Sequence, residues 1–153
     1  MVAKIIIFLC LNFAALGLGG FLMGDAVVGT WYESLNKAPW TPPGWVFGAA
    51  WTLIMIFFAV YMAYLLEAMP NKRFNILLLF SLQWLLNVSW NPMFFHYHYV
   101  ALSLVIIIAL TVLVAIFFFY YMHALRWQSL YILPYLVWLG IATSLNAYVL
   151  MYN

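Results

Sequence analysis

The sequence predicts an all-α fold: one bundle of five helices that crosses a membrane repeatedly. Composition gives the class, since 70% of the 153 residues are hydrophobic and 5% charged, with a mean hydropathy of +1.10. Soluble domains carry about a quarter charged residues, so a water-facing surface cannot be built from this chain. The positions of the charges give the number of spans. Lys4, Asp25, Glu33, Lys37, Glu67, Lys72, Arg73 and Arg126 punctuate stretches of bilayer length, and about 20 apolar residues suffice to cross the hydrocarbon core.

The first span occupies residues 5–24, between Lys4 and Asp25. Its apolar run is long enough to cross and ends in no A-x-A-like site, so it reads as a helix rather than a cleaved signal. Pro42 and Pro43 suit a first helical turn and not an interior, which starts the second span near Gly44 and carries it over residues 44–66. Residues 74–125 hold no Asp, Glu, Lys or Arg, too long for one crossing and right for two. His96-Tyr97-His98-Tyr99 is the natural turn, giving spans 74–95 and 100–123. The fifth span, 128–150, follows Arg126, with Trp127 and Tyr131 as interfacial aromatics. Pro92 and Pro134 fall inside spans and are expected to kink or locally unwind them. The connections are short apart from residues 25–43, so consecutive helices pack antiparallel in a single domain over 1–153.

Lys4, Lys72, Arg73 and Arg126 share one side and Lys37 stands alone on the other. The excess of Lys and Arg places the N-terminus in the cytoplasm and the first loop outside, in a bacterial plasma membrane. A net charge of +2 gives no footing for nucleic acid. The single Cys10 offers neither an intramolecular disulfide nor a cysteine pair for metal. His96 and His98, two apart in a turn, read as interfacial histidines before metal ligands. No intrinsic metal or cofactor is expected.

The first loop is the anomaly. It holds Trp31, Tyr32, Trp40 and Trp45, with Pro42 and Pro43 limiting the freedom lost when it orders. Such a segment reads as a lid or as an interfacial aromatic belt. In the third span, Gln83, Asn87, Trp90, Asn91 and Phe94 lie along one side of a helix. Amides in hydrocarbon need partners and turn inward, as polar glue between helices or as ligand contacts. Pro134, Trp138, Ala142 and Asn146 repeat at steps of four in the fifth span, and Trp51, Met55, Phe58 and Met62 form a stripe in the second. Together these stripes can enclose a flat aromatic ligand by stacking and a few hydrogen bonds; each alone reads as ordinary core before a ligand wall. Gly20 and Gly24 in the first span form one G-x-x-x-G, which serves self-association or packing within the chain. Asp25, Glu33 and Glu67 are not closely paired, and no phosphate cradle or nucleophile elbow is present.

Trp31-Tyr32-x-x-Leu35-x-Lys37, Trp40-x-Pro42-Pro43-x-Trp45 and Trp51 resemble the first-loop signature of the TspO/MBR family, the translocator and tryptophan-rich sensory proteins also described as peripheral-type benzodiazepine receptors. Gln83-x-x-x-Asn87-x-x-Trp90-x-Pro92-x-Phe94-Phe95, Pro134-Tyr135-Leu136-x-Trp138 and Ala142-Thr143-x-Leu145-Asn146 continue the likeness in order. The resemblance implies a five-helix bundle, often a homodimer, with a cavity beneath the first loop that binds porphyrins and haem-like tetrapyrroles. Carried over by position, the ligand-binding residues are Tyr32, Trp51, Gln83, Asn87, Trp90, Phe94, Trp138, Ala142 and Asn146, under a lid bearing Trp31, Trp40, Pro42 and Pro43. The function implied is a tetrapyrrole sensor or transporter. Its alternatives are a light-dependent porphyrin-degrading enzyme, in which Trp51 and Trp138 carry radical chemistry, and a regulatory membrane partner without turnover. Three departures stand out. Lys37-Ala38-Pro39-Trp40 shifts the family's proline by one position. The sequence from Leu145 to Asn153 lacks the Lys or Arg of the family's sterol-associated motif, which counts against sterol recognition. His96 stands where the family commonly has Gly.

Overall fold

The computed structural model describes residues 1–24 and 29–153; the first four positions of the expected lid segment, 25–28, lie outside the described residues. Five long helices form the bundle: α1 (Val2–Met23), α3 (Gly44–Ala68), α4 (Arg73–Asn91), α5 (Val100–Leu125) and α6 (Leu133–Tyr152). A short helix, α2 (Thr30–Ser34), lies in the first loop. No strand occurs among the described residues. The chain is an all-α membrane protein. Helices α1 and α3, and the continuous stretch Val100–Tyr152 that contains α5 and α6, are long and apolar enough to cross a bilayer. Helix α4 is less apolar because it carries Gln83, Asn87 and Asn91, and it buries the first two.

Helix ends follow the prolines. Pro43 precedes α3, where its missing N–H costs nothing. Pro92 cannot donate to the α-ladder, and the chain widens at once into a π-helical turn, Pro92–His96, in which Tyr97 N donates to Pro92 O at 2.9 Å. The expected fifth span does not open as an α-helix. Arg126–Ile132 winds as a tight 3-10 helix, and the α-helix begins only at Leu133. Pro134 therefore stands in the first turn of α6 and kinks nothing.

The core is a ring cluster centred on Phe58 of α3. Phe80, Phe117 and Tyr135 bring their ring centroids to 5.9, 6.0 and 5.4 Å from it, one each from α4, α5 and α6. Met55 and Met62, on the same stripe of α3, are buried in this core. Because apolar contact gives little driving force between helices in lipid, specific bonds lock the register. Asn12 Nδ2 donates to Met55 O at 3.0 Å, Tyr61 Oη to Phe117 O at 2.6 Å, and Trp84 Nε1 to Leu11 O at 2.9 Å. Small residues set the spacing of α1 and α4: a Cβ at Gly19 would lie 2.8 Å from Asn91 Nδ2, whereas Gly20 faces open space. Lys4 pairs with Glu67 at 2.8 Å, and Lys72 donates to Tyr120 Oη at 2.9 Å, which marks one end of the bundle. The lid lies at the other.

Candidate functional site

The lid crosses the bundle end by three attachments. From α2, Trp31 stacks on His98 with centroids 3.9 Å apart and planes at 17°, and meets Phe94 edge-on at 5.7 Å. His98 presents its ring from the turn before α5 with φ of 58°. Farther along, Asn36 N donates to Asn153 Oδ1 at 2.8 Å, and Asn153 Nδ2 donates to Asn36 O at 3.3 Å. Trp40 Nε1 then donates to Ser144 Oγ at 3.1 Å, with its ring edge-on to Tyr148 at 5.5 Å. Between these attachments the chain turns tightly at Pro39, where Thr41 N donates to Ala38 O at 2.9 Å and Ala38 is tucked inward.

Beneath the lid is a cavity of about 40 Å³, with Tyr32, Lys37 and Ala38 above, Trp90 and Phe94 on one wall, and Phe47, Ala142 and Asn146 opposite. Trp90 stacks on Phe94 at 5.7 Å. Tyr32 stands edge-on to Phe95 at 5.2 Å, and burial raises its phenol pKa above the ordinary value. Asn146 fixes the floor: its Oδ1 accepts from Trp90 Nε1 at 3.1 Å and from Ser103 Oγ at 2.9 Å, while its Nδ2 donates to Val100 O at 3.0 Å. Ligand sites for drug-sized molecules run to roughly 300–1,000 Å³. The rings of the first loop and the π-turn fill the space here, and the cavity as it stands is smaller than a site of that kind.

The expected ligand-binding residues separate into three groups. Tyr32, Trp90, Phe94, Ala142 and Asn146 meet at the cavity. Gln83 and Asn87 lie deeper and donate to Tyr135 Oη at 2.7 and 2.6 Å, with Trp51 edge-on to the same ring at 6.0 Å. Trp138 stands behind Phe47, edge-on at 5.3 Å, and its buried Nε1 has no partner among the described residues. Trp138 also faces outward into a wholly apolar groove between α3 and α6 that includes Ala50, Leu53 and Val137. The sequence reading did not single out Phe47, Phe95 or Val149 as lining, since aliphatic and phenyl side chains in so apolar a chain give no signal. Of the lid residues, Trp31 and Trp40 make the attachments, and Pro42 and Pro43 lead into α3. No group of three His, Cys, Asp or Glu able to hold a metal occurs among the described residues.

The sequence profile described as TspO/MBR family matches residues 6–152. The chain belongs to the TspO/MBR family. Among TspO/MBR relatives, the tryptophan-rich protein TspO of Archaeoglobus fulgidus is 35% identical over 100% of this chain and 96% of its own length. The tryptophan-rich sensory protein of Cereibacter sphaeroides is 30% identical over 76% of this chain and 72% of its own. The translocator protein of Bos taurus is 34% identical over 51% and 50%. The profile thus spans the lid, the π-turn and the wall of α6 together.

Proposed function

We propose that this TspO/MBR chain is a membrane-embedded tetrapyrrole-binding protein, a sensor or transporter whose ligand lies beneath the first loop. The observation that carries the reading is the lid cavity itself. Tyr32, Trp90, Phe94 and Phe47 offer ring faces and edges around a buried amide, which suits a flat conjugated ligand. The relatives' names, sensory protein and translocator protein, agree with a sensor or transporter. Porphyrin or haem is then a ligand and not a resident cofactor. The excess of Lys and Arg at the opposite end supports a lid on the outer side of the membrane. Open space beside Gly17 and Gly20 on α1, and beside Gly24 at its C-cap, supports a homodimer through that helix.

The test is a titration of the full chain in detergent with protoporphyrin, followed by tryptophan fluorescence in the dark and repeated under illumination. Saturable quenching that weakens about tenfold in Trp90→Ala is expected, the loss of one stacking wall. Absence of saturable quenching overturns the reading. A light-dependent product that free porphyrin does not form, lost in Trp51→Phe, would replace the binder with an enzyme. Thiol labelling of Ser34→Cys and Asn71→Cys in a Cys10→Ser background fixes the side of the lid: Ser34→Cys reacts from outside the cell and Asn71→Cys does not.

A further inference from the structure

The tetrapyrrole reading leaves open what part of the ligand is recognised besides its flat ring, and one lid residue answers this. Lys37 lines the cavity with Tyr32 and Asn146. Its Nζ rests 4.2 Å from the centroid of the Tyr32 ring, and among the described residues it makes neither an ion pair nor a hydrogen bond. The other four Lys and Arg residues stand at the far end of the bundle, two of them engaged, Lys4 with Glu67 and Lys72 with Tyr120. Lys37 is therefore the single fixed positive charge at the mouth of an aromatic, apolar cavity.

We infer that Lys37 is the specificity residue of this pocket: its ammonium pairs with a carboxylate on the rim of the bound ring, so the site selects anionic flat ligands over neutral ones. The inference rests on the tetrapyrrole reading and names the charge that reading requires. An ammonium held against a ring face keeps only part of its water shell, so less hydration is lost when an anion arrives. Its flexible four-carbon stem lets Nζ leave the Tyr32 ring and follow a carboxylate as the first loop moves to admit the ring. Tyr32 is then free to turn its face to the ligand. No other group on the cavity wall carries a positive charge. The Asn146 amide and the Thr41 hydroxyl already donate, to Val100 O and Ala38 O, Trp90 Nε1 donates to Asn146, and Phe47, Phe94, Ala142 and Val149 carry no polar side-chain atoms.

The alternative is a purely structural Lys37 that holds Tyr32 down. The two are separated by titrating protoporphyrin and its dimethyl ester, which share one ring system and differ in charge, against the full-length protein in the dark. Wild type is expected to bind the diacid about tenfold more tightly than the ester, and added salt should weaken the diacid alone. Lys37→Met should erase that preference by lowering diacid affinity about tenfold while leaving the ester unchanged, and Lys37→Arg should restore it. Equal affinities for acid and ester in wild type, or an equal loss of both in Lys37→Met, overturn the role of Lys37 while the pocket stands. Failure of wild type to bind either porphyrin overturns the pocket and this inference together.

Discussion

Truncation of Asn146 is the most direct test of how the cavity floor is held. The residue is 2% exposed and joins three helices through Trp90 of α4, Ser103 and Val100 of α5, and its own α6. In Asn146→Ala, Trp90 Nε1 loses its acceptor, while Ser103 Oγ keeps Val100 O at 2.8 Å. Interhelical hydrogen bonds in membrane proteins average about 0.6 kcal/mol each, so three amount to about 2 kcal/mol. The cost of one orphaned buried donor, about 1–3 kcal/mol, leads to the same figure. For a chain of this size that is a fall in Tm of about 4–8 °C in detergent, measured by circular dichroism. Trp90→Phe should cost less, because Asn146 retains Ser103 and Val100. The double variant should be less destabilised than the sum of the two by about 0.6 kcal/mol, the shared bond. A shift below about 1 °C in Asn146→Ala, or strict additivity in the cycle, refutes the assignment of Asn146 as the tie between α4, α5 and α6.

Three further outcomes are expected. Trp31→Ala removes the stack on His98 and the edge contact with Phe94, interactions of about 0.5–1.5 kcal/mol each; amide exchange across residues 30–36 should quicken, and unchanged exchange would remove the stack as a lid attachment. Gly19→Val forces the Asn91 amide aside and should destabilise the bundle by about 1–3 kcal/mol, whereas Gly20→Val, which meets nothing within 4 Å, should be close to neutral in the monomer; thermal unfolding of the pair decides. The Tyr32 phenol, raised above 10.0 by burial, favours the closed lid fully below pH 10 and loses that contribution as pH climbs through the raised value. Proteolysis of the lid should therefore accelerate above pH 10 in wild type but not in Tyr32→Phe.

Much of this architecture was legible from where charges are missing. Hydrocarbon tolerates no unpaired charge, so the gaps between Lys4, Asp25, Lys37, Glu67 and Arg126 traced the helices directly. Their ends were less legible. Residues 126–132 wind tightly and the α-helix waits for Leu133, a choice between i→i+3 and i→i+4 bonding that apolar composition does not encode. Residue type marked Trp90 and Asn146 as inward-facing, but Gln83 and Asn87 carry the same signal and lie with Tyr135 instead. Depth along a helix axis decides which amide reaches a cavity, and periodicity reports only the face. Lys37 was visible as a charge. Its contact with Tyr32 depends on the turn at Pro39, whose conformation places Ala38 inward.

The attachments of the lid also bear on affinity. If the ligand binds only the opened form, the measured dissociation constant is the intrinsic one divided by the open fraction. Trp31 on His98, Asn36 with Asn153 and Trp40 with Ser144 set that fraction without touching the ligand. Substitutions at these positions should then tighten binding as they loosen the loop, opposite to the effect of damage at Trp90. Under that reading, sequence variation in the first loop and the last turns of α6 would tune the apparent affinity while the wall of Trp90 and Phe94 stays constant.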